Sequence, residues 1–126
     1  MSKDRIVWKK EPEADDYSGT LNFLSLIFPA PRCEKLLRDL RAEATIDRAA
    51  KDLLRASNLP LLSADDPHVD DDLKRIHKGK PLAPVLLVRG DMANGVPLII
   101  ADGYHRICAA CHYDESARIP CRMVSL

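Results

Sequence analysis

The chain has 126 residues, 46% of them hydrophobic, with 19 basic and 19 acidic side chains and a formal net charge of zero. That length suits one domain whose core needs no disulfide staples, and the charge balance excludes a broad electrostatic grip on DNA, which requires a basic excess on at least one face. No stretch approaches the roughly 18 consecutive apolar residues of a membrane span, and the start "MSKDRIVWKKEPEADDYSG" lacks the apolar centre of a secretory signal, so the expected location is cytoplasmic, with Cys33, Cys108, Cys111 and Cys121 as reduced thiols.

Residues 1–17 are polar and mixed in charge. They read as a flexible arm with Ile6, Val7 and Trp8 as a docking point, and Asp15 to Tyr17 as a stretch that orders in a complex. Residues 18–126 read as a single domain, divided into a helical part (18–58) and a second part (59–126). "SGTLNFLSLIF" predicts a short helix from Ser18, capped by Ser18 or Thr20 and ended by Pro29 and Pro31. Its apolar run serves equally as core or as an interface. "PRCEKLLRDLRAEA" predicts an amphipathic helix with Leu36, Leu37 and Leu40 inward. "DRAAKDLLRASN" predicts another, with Leu53 and Leu54 inward and Asn58 near its end.

The pattern changes at Leu59. "LPLL" is a short apolar run that stands as a first strand. Asp66 before Pro67 is an N-cap with proline at the first helical position. Val69, Leu73 and Ile76 form that helix's stripe, and Gly79 its stop. Asp70, Asp71 and Asp72 suit the positive end of the helix dipole. A metal site is the sharper reading of that run, and a capped, solvated helix start the favoured one. Ala83–Gly90 and Val96–Gly103 read as strands joined at an Asn94-Gly95 turn. "YHRICAACHYD" reads as a helix and "ARIPCRMVSL" as a closing strand, in which Pro120 marks an edge or a strand start. The fold class is therefore α+β: a β-α-β-β-α-β module preceded by N-terminal helices.

"CAACH" (Cys108 to His112) spells a haem-attachment pattern, and Cys108, Cys111, His112 and Cys121 could also be zinc ligands. The half-motif that would close a tetrahedral zinc site is missing. Tyr104, Ile107, Cys108 and Cys111 fall at i, i+3, i+4 and i+7, one apolar helix face, and free cysteine packs as a small hydrophobe. Neither haem nor zinc is expected, and no metal site is assigned.

"DGYHR" (Asp102 to Arg106) sits where a strand turns directly into a helix. Gly103 permits a tight backbone and close approach of a ligand. The first amides of the helix have no internal partners and point at a ready anion site. His105 and Arg106 can bind the same anion. Asp102 can orient a hydroxyl, bind Mg²⁺ or act as a base. An ordinary capped helix start, with Arg106 paired to Asp102, fits the same residues, and both readings stand at this point.

From Leu59 to Val124 the chain resembles the ParB/sulfiredoxin fold, through "LPLLSADDPHVDDDLKRI", "PVLLVRG", the hairpin, "DGYHRICAA" and "ARIPCRMV". Sulfiredoxins carry Gly-Cys-His-Arg at this corner and ParB proteins Gly-Glu-Arg-Arg; here the residues are "GYHR". The resemblance implies a nucleotide ligand, ATP or CTP with Mg²⁺, contacted by Gly103, Tyr104, His105 and Arg106. It also implies a contact from Arg89, by its position on its strand, and makes Asp102 the candidate catalytic carboxylate, with Asp65 and Asp66 in reserve. Tyr104 holds the place of the sulfiredoxin catalytic cysteine, so thiol chemistry is not implied. The helix-turn-helix that follows the ParB module has no counterpart, and the N-terminal helices mix charge signs, so direct DNA binding is not expected. Phosphoryl transfer or nucleotide hydrolysis, a non-catalytic nucleotide-sensing or protein-binding module, and a partition-associated protein are the functions this leaves. The N-terminal helices are the expected contact for a protein partner or a second copy of the chain.

Overall fold

The computed structural model describes residues 5–126, so the first four residues of the expected arm lie outside the described residues. Five helices and four strands follow in the order α1 (Ala14–Leu24), α2 (Ala30–Ala42), β1 (Ile46–Ala49), α3 (Ala50–Ser57), α4 (Pro67–His77), β2 (Val85–Val88), β3 (Ile99–Asp102), α5 (Tyr104–Tyr113) and β4 (Arg118–Val124). The fold is α+β around one mixed sheet of order β1-β4-β2-β3. β4 runs antiparallel to β1 and parallel to β2, and β3 is antiparallel to β2.

Both faces of the sheet are covered, which explains why all four residues of β2 are apolar and buried. Side chains alternate between faces along a strand. Val85 and Leu87 enter one core with Ile107 and Cys108 of α5, Leu53 of α3 and Val69 of α4, while Leu86 and Val88 enter the other with Leu24 of α1 and Leu36 and Leu40 of α2. Arg122 on β4 is buried on that second face. It donates to the Leu40 and Arg41 carbonyls at the end of α2 and to the Tyr17 hydroxyl, satisfying acceptors that the helix end leaves open.

Several expectations change. The arm does not extend to residue 17. Trp8 bridges to Leu82, and Ile6 and Trp8 pack on the core, but α1 already begins at Ala14 and buries Tyr17 without any partner molecule. Its cap is Glu13, in a capping box with Asp16, rather than Ser18 or Thr20. The helical part is interrupted by β1. Asp47 to Ala49 pair with Pro120 to Arg118, because the open edge of β4 outweighs the modest helix preference of those residues. The "LPLL" run forms no strand, and the fourth strand is β1 instead, so the β-α-β-β-α-β order fails at its first element. Pro120 sits where β4 pairs with β1 but has not yet met β2, a locally one-sided position that tolerates its missing N–H.

Other signals hold. The Asp66 carboxylate accepts from the His68 and Val69 amides. Gly79 follows the end of α4 at φ +71°, with Lys80 N–H on the Arg75 carbonyl and Gly79 N–H on the Ile76 carbonyl, the Schellman pattern. Asn94 and Gly95 close the β2–β3 hairpin through a short 3-10 turn. Among the described residues no helix is long and apolar enough to cross a membrane.

Candidate functional site

β3 ends at Asp102, Gly103 turns the chain, and α5 starts at Tyr104. Gly103 has φ +107°, and a Cβ there would lie 2.4 Å from the Val85 side chain, so only glycine fits. No side chain caps α5. The amides of Tyr104, His105 and Arg106 have no partner among the described residues, which leaves the helix start without a hydrogen-bonded cap.

This corner lines a pocket of about 400 Å³ closed by the start of α1, the polar face of α4 and the segment before β2. Asp102, Gly103, His105 and Arg106 are brought together there. They are joined by Glu13, Asp15 and Asp16 from the α1 end, by His68, Asp71, Asp72 and Arg75 from α4, and by Lys9. The His68 and His105 rings are 4.8 Å apart.

The Arg106 side chain is 13% exposed, and both of its terminal nitrogens are engaged. It donates to the carbonyls of Ala83 (2.8 Å) and Pro84 (3.3 Å) and pairs with Asp102 (2.5 Å) and Asp16 (3.0 Å). It therefore ties α1 and α5 to the segment leading into β2. Gly19 lets α1 press onto this cluster, since a Cβ there would lie 2.8 Å from the Asp102 carboxylate. Burial, then the neighbouring Asp16, push the Asp102 carboxyl up to about 7, although Arg106 opposes the shift. Asp102 can thus hold or release a proton near neutral pH. Burial also raises Asp72, against the pull of Arg106, Arg75 and His105.

The remaining candidates lie elsewhere. The Tyr104 hydroxyl donates to the Pro60 carbonyl, outside the pocket. Arg89 stands beyond the far end of β2, four residues from Val85 or roughly 13 Å along the strand. It does not line the pocket at Gly103. Asp66 is committed to the α4 amides and Asp65 is exposed, and neither lines the pocket. Glu13, Asp15, Asp16, Asp71 and Asp72 are the additional carboxylates that do. His68, Asp71, Asp72 and Arg75 fall at i, i+3, i+4 and i+7, and that wholly polar stripe was the legible signal. Nothing local in the sequence of α1 indicated that Asp16 would meet Arg106.

Cys108 and Cys121 are buried in the core shared with α3 and α4. Burial raises the Cys108 thiol, and pushes Cys121 up to about 11, so both are protonated at neutral pH. His112 is hydrogen-bonded to the Leu62 carbonyl. Among the described residues no cluster of three or more His, Cys, Asp or Glu side chains is arranged to hold a metal.

No family model, curated protein or solved structure matches the chain.

Proposed function

We propose that the pocket at Asp102–Arg106 binds the phosphates of a nucleotide, ATP or CTP with Mg²⁺, and that Asp102 takes a proton from a hydroxyl substrate during phosphoryl transfer or hydrolysis. The observation that carries this reading is the uncapped start of α5, opening into the pocket beside two histidines in ring contact. Three unpartnered amides and a helix dipole favour a phosphate at that point. The resemblance of the sequence "DGYHR" to the corner motif of the ParB/sulfiredoxin family supports the same ligand class.

The pocket's charge sets a condition on the ligand. Six carboxylates line it against Lys9, Arg75 and Arg106. Lys9 is paired with Glu13, and Arg106 with Asp16 and Asp102. Asp71 and Asp72 make no ion pair among the described residues. A free polyphosphate is repelled by that field, whereas Mg²⁺ is held by one or two carboxylates together with phosphate oxygens. Asp71 and Asp72, which line the pocket, would be its protein ligands. It supplies charge compensation to the phosphates. Arg106 then acts as a positioning residue: it fixes Asp102 and the α1 end around the ligand. Asp102, poised near neutrality, receives the hydroxyl proton.

A thermal-shift panel tests the reading, with ATP, ADP, CTP, GTP and inorganic phosphate, each with and without Mg²⁺. The expected outcome is a rise in melting temperature for one nucleotide only when Mg²⁺ is present, lost in His105→Ala and in Asp72→Asn. Product analysis on that nucleotide then separates an enzyme from a sensing module. No shift with any of them overturns the phosphate assignment.

A further inference from the structure

A second pocket lies at the opposite end of the sheet and takes no part in the proposed reaction. Its volume is about 320 Å³. The floor is Leu53 of α3, Leu87 of β2, Leu98 and Met123. Leu53 and Leu87 are core residues, while Met92, 81% exposed, stands at the mouth. Arg48 from β1 and Arg89 after β2 form the rim.

The walls are made of fixed backbone. Leu98 N–H donates to the Ala56 carbonyl at 2.9 Å and ties the chain entering β3 to α3. At Gly90 a Cβ would come within 2.6 to 2.7 Å of the backbone of Val96 to Leu98, so the two arms of the hairpin touch there. A pocket built this way exists before any ligand arrives.

The charges at the rim have one sign left over. Asp52, the one carboxylate lining this pocket, is paired with Arg55. Arg48 donates to the carbonyl of Asp47, a neutral acceptor. The carboxylates on the other side of Arg89 make no ion pair with it: Asp39 pairs with Lys35, and Glu43 accepts from the Ala44 amide. Arg89 makes no side-chain hydrogen bond or ion pair among the described residues.

We propose that this pocket binds a small aliphatic carboxylate, its chain on Leu53, Leu87, Leu98 and Met123 and its carboxylate on Arg89. Arginine's planar fork matches a carboxylate in two hydrogen bonds. At ~30 Å³ for each water-sized group, the volume accommodates about ten non-hydrogen atoms. Octanoate has that size and serves as the probe.

Octanoate is titrated into the full chain and followed by backbone amide NMR shifts, with 1-octanol and acetate as controls. Shifts are expected at Leu53, Ala56, Leu98 and Met123, with octanol and acetate each bound at least about tenfold more weakly. Arg89→Gln weakens octanoate binding by about tenfold. Met92→Asp, an exposed change that leaves folding intact, also weakens it, by placing a negative charge at the mouth. Octanol binding as well as octanoate, shifts centred on another patch such as Leu21 to Ile27, or no binding at millimolar octanoate overturns the proposal. Nucleotide shifts at the Asp102 corner are read separately, because the two pockets share no residue.

Discussion

Replacing Asp102 by asparagine gives a pH-dependent change in stability whose size follows from the cluster around Arg106. The Asp102 carboxyl is raised from an ordinary value of 3.8 to about 7. The folded chain therefore binds this proton more tightly than the unfolded chain. The stability linked to it is fully present below about pH 4 and is lost as the pH rises through about 7. Near pH 5 the folded wild type carries a neutral carboxyl, which asparagine imitates, and the two proteins have similar stability. At higher pH the wild type must place a second negative charge beside Asp16 in a half-buried site, and the variant does not. Each pH unit over which the folded chain keeps a proton that the unfolded chain has lost is worth ~1.4 kcal/mol, so the difference moves in the variant's favour by roughly 2–3 kcal/mol between pH 5 and pH 8. Urea unfolding across that range, with an unchanged m-value, measures it. Contributions from other groups, such as the raised Asp72, are common to both proteins and cancel. A difference that stays flat with pH would refute the reasoning. So would a wild type that gains on the variant at pH 8, since Asp102 would then be ionised throughout and stabilised by Arg106.

Three further outcomes follow from the same geometry. Gly103→Ala forces a Cβ against Val85 at a positive φ and should cost about 3 kcal/mol in urea unfolding. Arg106→Ala leaves Asp16 and Asp102 without their cation; it should cost about 3 kcal/mol at pH 8 and less at pH 5, where Asp102 is neutral, a contrast that thermal melts at the two pH values display. Cys108→Ala truncates a fully buried side chain and should lose about 1–2 kcal/mol while leaving metal content, measured by elemental analysis, unchanged.

Local chemistry made some elements readable in advance. Asp66-Pro67 marked the start of α4, Gly79 its stop, and the dense apolar runs on either side of Asn94-Gly95 the β2–β3 hairpin. Each of these signals acts over a few residues: a carboxylate reaching the next amides, a glycine at positive φ, an apolar run that needs burial on both faces. The same locality placed Asp102, Gly103, His105 and Arg106 at one corner, and the amphipathic spacing of α5 put Cys108 in the core.

Other features depended on contacts far apart in the chain. Asp47 to Ala49 became a strand because β4, some 70 residues later, offered an unpaired edge. Arg106 became a structural clamp because α1 delivers Asp16 to it from about 90 positions earlier, which turned a free cation into one already occupied. Arg89 lies outside the phosphate pocket because strand geometry carries it four residues past Val85. The sequence by itself determined where helices start and stop and which residues seek the interior, since caps, turns and periodicity are short-range. Only the tertiary structure decided which charges face one another, because burial and partner together set the state of Asp102 and the purpose of each arginine.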